Sequence, residues 1–94
     1  AGAIDIVTTA MRNHPHNALL QVAVCTLFMV WARANHPERR DMIRQAGGIE
    51  AVLQAMHGHR ANIEVAAQAL RAIVNLATQS EENKSRFGRQ GAIA

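Results

Sequence analysis

The side chains able to do chemistry in this 94-residue chain are few and dispersed. Two histidine pairs, His14-x-His16 and His57-x-His59, have the imidazole density of a zinc or copper site. Each pair lies in a turn-like segment, Arg12-Asn-His-Pro-His-Asn17 or His57-Gly-His-Arg-Ala-Asn62. Turns carried by neighbouring packed helices stand roughly 10 Å apart, too far for one ion to bridge without a special loop shape. Exposed turn histidines and no metal are therefore expected. Cys25, the single cysteine, cannot form an internal disulfide, and its place in the apolar run Val22-Ala-Val-Cys25-Thr-Leu-Phe-Met-Val30 suits a small core residue rather than a nucleophile.

Catalysis has no other support. No Ser or Cys sits in a nucleophile elbow, no Gly-rich loop precedes Lys and Ser or Thr, and no carboxylate pair stands out. Glu81 and Glu82 read as first-turn helix residues that complement the helix dipole. Neither an enzyme nor a cofactor is expected. Nine Arg and one Lys against seven carboxylates give a charge of +3, scattered along the chain with only three aromatics. The mild basicity allows an acidic partner or weak phosphate attraction, whereas a nucleic-acid surface usually shows a denser basic stripe with stacking rings.

The elements that hold these residues repeat. Gly2-Ala3-Ile4-Asp5 recurs as Gly47-Gly48-Ile49-Glu50, and its opening tripeptide returns as Gly91-Ala92-Ile93, at spacings of 45 and then 44 residues. Ile4, Val7, Ala10 and Met11 match Ile49, Val52, Ala55 and Met56, an i, i+3, i+7 stripe that predicts a short amphipathic helix opening each copy. Asn17 and Asn62 close the following turns as caps of two longer helices, about Asn17 to Asn35 and Ile63 to Thr78. In the second of these, Glu64, Gln68, Arg71, Asn75 and Thr78 draw one polar stripe opposite the apolar face. A third, short helix starts at His36-Pro37-Glu38 and again at Ser80-Glu81-Glu82, with Ile43 and Phe87 as matching buried anchors and Gly47 and Gly91 as left-handed ends.

This three-helix unit of about 44 residues resembles the armadillo repeat. The match rests on Gly47-Gly48-Ile49, Ala69-Leu70, Ala72-Ile73, Asn75-Leu76-Ala77, Glu82-Asn83, Phe87 and Gly91-Ala92-Ile93, and in the first copy on Gly2-Ala3-Ile4, Pro37-Glu38, Ile43 and Gln45-Ala46-Gly47-Gly48. The resemblance implies an all-α fold, a right-handed α-α superhelix, with residues 2–46 and 47–90 as two units and 91–94 as the start of a third. Counted in the family's own terms, the chain enters at the second helix of one unit and completes one full unit. The resemblance further implies a protein-interaction scaffold that binds an extended partner segment along its concave helix faces, in the cytoplasm or nucleus. Asn75 stands where the family's ladder of asparagines holds a partner's main chain, flanked by Gln68 and Arg71. Members that grip basic segments often place Trp where this chain has Arg71, which shifts the expected partner toward acidic peptides.

Trp31 is the remaining candidate on that face. An offset of 44 pairs it with Asn75 on the groove, whereas 45, from the caps Asn17 and Asn62, pairs it with buried Leu76, and a third register of 43 also fits. The chain is 49% apolar, yet 18 of its residues are alanine. A chain this short buries only roughly 60–65% of its unfolded surface, so each unit must share its core with a neighbour. The first long helix is apolar nearly all round, from Leu19 to Trp31, which predicts self-association through residues 17–35. No apolar stretch approaches the roughly 20 residues of a membrane span. The alternative reading is a purely structural solenoid segment whose binding surface lies in other repeats.

Overall fold

A computed structural model describes residues 2–33, 37–77 and 81–89. Among them the chain forms helices joined by short turns: α1 (Ala3–Asn13), α2 (Ala18–Trp31), α3 (Pro37–Gln45), α4 (Gly48–Gly58), α5 (Ile63–Ala77) and α6 (Glu81–Arg89). Gly91-Ala92-Ile93, Thr78, Ser80 and the side chains of Glu81 and Phe87 lie outside the described part.

Local chemistry accounts for the starts and stops. Asn17 Oδ1 accepts from the Leu20 amide at 3.0 Å and Asn62 Oδ1 from the Val65 amide at 3.2 Å, so both long helices begin at the asparagines expected to cap them. Pro37 opens α3 where a missing N–H is harmless. Gly47 takes φ 83°, the left-handed conformation that turns the chain from α3 into α4. Its neighbour Gly48 is required for a different reason: a Cβ there would collide with Ile43 Cγ2 and stand 2.8 Å from the Ile43 carbonyl oxygen. The first long helix is shorter than its sequence pattern predicts. It closes at Trp31, where the Ala32 amide donates to the Phe28 carbonyl at 2.9 Å, and not at Asn35.

The shared cap position settles the register at 45, which places Val24 opposite its counterpart Ala69 and Phe28 opposite Ile73, all buried. The core runs through both halves without a break. Phe28, Ile43, Ile49, Val52, Val65 and Leu76 are its large members, and Ala51, Ala55, Ala69 and Ala72 are the small ones that let helix axes approach. Packing of α5 along α2 is the most extensive contact between elements, and α4 packs on α5 beside it. Arg44 to Glu82 and Arg86 to Glu50, each 3.6 Å, tie α6 to α3 and α4 at partly exposed sites. Such pairs contribute about 0–1 kcal/mol each, so the apolar seam does most of the joining.

The polar stripe predicted along α5 divides in the folded chain. Glu64 and Arg71 are exposed, but Gln68 and Asn75 are half-buried, because that flank of α5 is turned onto α2.

Candidate partner-binding face

Asn75 has a structural partner. Its Nδ2 donates to the Met29 carbonyl at 2.7 Å, across the α2–α5 seam. Met29 lies in the last turn of α2, where carbonyls have no amide of the next turn to accept from. Asn75 therefore completes the end of the preceding long helix. Asn83, fully buried, does the same one unit later, donating from Nδ2 to the Leu76 carbonyl of α5 at 2.8 Å. Arg40, only 2% exposed, donates from Nη1 to the Arg33 carbonyl at 3.4 Å, just past α2. Sequence patterning marked Asn75 for its family position and Arg40 not at all. The only signal for Arg40 was its matching helical phase with the buried Ile43, three residues on.

Arg71 is exposed and has neither an ion pair nor a hydrogen bond among the described residues. Its stem borders a shallow apolar notch of about 250 Å³ lined by Met29, Leu70, Val74 and Asn75 as well. Gln68 lies one turn before, with its Oε1 buried and lacking a hydrogen-bond partner. The notch thus offers apolar walls, a guanidinium on one rim and an amide on another. Such a set can hold an aliphatic side chain and a nearby carboxylate.

Trp31 does not share this face. It is half-buried on the other side of α2, with the Arg39 guanidinium 5.8 Å from its ring centre, a cation–π distance. It lines a separate cavity of about 430 Å³ with Gly2, Asp5, Met42 and Gln45. Of the three registers, the offset of 45 set by the caps Asn17 and Asn62 is the one that goes with Trp31 facing α1 and α3, away from the Arg71 notch.

One of these histidines, His59, bonds between the turns. His59 Nε2 is 2.8 Å from the Pro15 carbonyl oxygen, bonding one turn to its counterpart in the other half. Among the described residues no group of three or more His, Cys, Asp or Glu is arranged to hold a metal. Cys25 is fully buried, and desolvation pushes its thiol from an ordinary 9.0 up to about 12, so at neutral pH it is protonated and a poor nucleophile. No described helix is long and apolar enough to cross a membrane.

Among the described residues, α3, α4 and α5 run in the order short, medium, long. The family model of the Armadillo/beta-catenin-like repeat matches residues 36–78, which is that same span. Residues 36–78 are similar to the armadillo repeat. No curated protein matched the chain, and no solved structure did. Within the matched span, Arg71 and Asn75 lie on α5, its longest helix.

Proposed function

We propose that this segment is a non-enzymatic protein-interaction module, part of a right-handed helical solenoid, that binds an extended acidic segment of a partner protein along the α2 and α5 faces bordering its concave side. The observation that carries the proposal is Arg71, an exposed guanidinium with no carboxylate of its own, placed beside the apolar notch of Met29, Leu70 and Val74. A carboxylate on Arg71 forms a charge-assisted pair, and an adjacent aliphatic side chain fills the notch. Asn75 borders the same notch, but one of its amide protons is held by Met29, so it has less to offer a ligand than an uncommitted amide.

Fluorescence anisotropy with two labelled peptides tests this, one alternating Glu and Leu, the other alternating Lys and Leu. The acidic peptide should bind more tightly, Arg71→Glu should invert the order, and the melting temperature should not change. Acidic-peptide binding unaffected by Arg71→Glu would overturn the proposal. The second reading, a purely structural segment, draws support from the same Asn75 bond, since it shows the amide working within the seam. That reading predicts no difference between the two peptides.

A further inference from the structure

The two long helices occupy equivalent places in successive units, yet each leaves bare the face that the other has covered. Cys25 of α2 is fully buried under α5, while Leu70, at the same place on α5, is 54% exposed. Ala18 and Met29 are half-buried in the seam, and their counterparts Ile63 and Val74 are 84% and 62% exposed. The reverse holds on the opposite flank. Gln68 and Asn75 of α5 are half-buried against α2, while Ala23 and Val30, their counterparts on α2, are exposed. The same contrast continues onto the neighbouring helices: Ala51 of α4 is buried, and its counterpart Ile6 of α1 is 70% exposed.

These two bare flanks form the two halves of one interface, already present once inside the chain. We infer that two copies of this chain stack head to tail, with the Ile63, Leu70 and Val74 flank of one copy seated on the Ile6, Ala23 and Val30 flank of the next, repeating the α2–α5 seam. Both flanks are aliphatic at their centres; Arg71, in the place that half-buried Thr26 holds on α2, stands at the rim, where its guanidinium can stay in water while its stem packs. Val30 of the incoming copy takes the place of Asn75, facing the region of Val74 as Asn75 faces Met29. The joint therefore lacks the amide-to-carbonyl bond of the internal seam and rests on apolar contact alone. Because the two flanks differ, the contact is heterologous, and it does not close on itself after two copies. Arg71 lies beside the joint; the stacking does not rest on the acidic-peptide reading, and a stacked copy competes with such a peptide for the notch of Leu70 and Val74.

Sedimentation velocity over a wide concentration range provides the test, on the unaltered chain, on Leu70→Glu with Val74→Glu, and on Ala23→Glu with Val30→Glu. The unaltered chain should grow past a pair with rising concentration. Each double variant alone should sediment as a monomer, and an equimolar mixture of the two should restore a pair that grows no further. A monomer throughout for the unaltered chain overturns the inference, as does a closed pair lost in the α2 variant but retained in the α5 variant. Should the double variants fail to fold, Val30→Cys and Val74→Cys chains mixed with a short thiol cross-linker decide instead, the native Cys25 being buried. Cross-links joining one variant to the other support the stacking, and links formed only between two Val30→Cys chains overturn it.

Discussion

The helices α2 and α5 begin at the same cap residue, keep the same register and pack on each other, yet they have opposite patterns of exposure. The helix α2 is apolar on almost every side, and it buries Gln21, Val24, Cys25 and Phe28, of which Gln21 faces α1 of its own unit. The helix α5 buries Val65, Ala69, Ala72, Ile73 and Leu76, a set that lies toward its own unit and the preceding one. In a stack of repeats, then, a residue's burial follows from what lies on either side of its unit as much as from its own polarity. Gln21 makes the point: it is 2% exposed on α2, and its Nε2 donates to the Met11 carbonyl at 3.1 Å and the His14 carbonyl at 2.9 Å, while its counterpart on α5 is Ala66.

The sharpest break in this comparison comes from the residue that both units share through the seam. Phe28→Ala removes a fully buried ring and should destabilise by about 3–5 kcal/mol, enough to unfold much of the chain, as urea titration followed by circular dichroism would show. If the two units were independent, only the first would melt, and the loss of helical signal would come in two steps. Next is Gly48→Ala, whose methyl has no room against Ile43 and should cost roughly 1–3 kcal/mol, read by the same titration. Ala3 holds the equivalent place in the first copy, so Ala3→Gly should have a much smaller effect.

A paired substitution tests the equivalence itself. Cys25→Ser puts a hydroxyl into a fully buried site and should cost about 1–3 kcal/mol, whereas Leu70→Ser, at the matching place on α5, should change stability by no more than about 0.5 kcal/mol. Equal effects at the two positions would mean that α5 is covered as fully as α2 in solution. Asn75→Ala leaves the Met29 carbonyl without its donor and should lower stability by about 1 kcal/mol in thermal melts. An alkaline melt series adds a check on Cys25. Its folded-state thiol ionises near 12 against an ordinary 9.0, so the unfolded chain releases its proton first, and stability should fall as pH rises through that window.

Much of the fold was legible in residue order. The caps Asn17 and Asn62, the Pro37 start, the left-handed Gly47 and the stripe of Ile4, Val7 and Met11 are local devices, set by contacts within about one helical turn. The repeat itself was visible because identical packing problems in successive units require the same residue types. The end of α2 was less so, since the run from Leu27 to Ala34 has no breaker. Less legible still was the candidate site. Gln68, Arg71 and Asn75 fall on one stripe of a lone helix, and only the angle at which α5 lies on α2 turns Gln68 and Asn75 inward and leaves Arg71 in solvent.

Residue order alone, then, settled where most helices start and turn and the likeness of residues 36–78 to the armadillo repeat, because helix propensity, capping and turn chemistry act between neighbours in the chain. Tertiary packing decided three further matters: the register that takes Trp31 off the Arg71 face, the use of Asn75 and Arg40 to complete the end of α2, and which flank of each long helix stays bare. The reason is geometric. Each depends on which surface a helix presents to a neighbour dozens of residues away, and a shift of one residue rotates that surface by about 100°, while leaving the apolar and polar pattern along the helix almost unchanged.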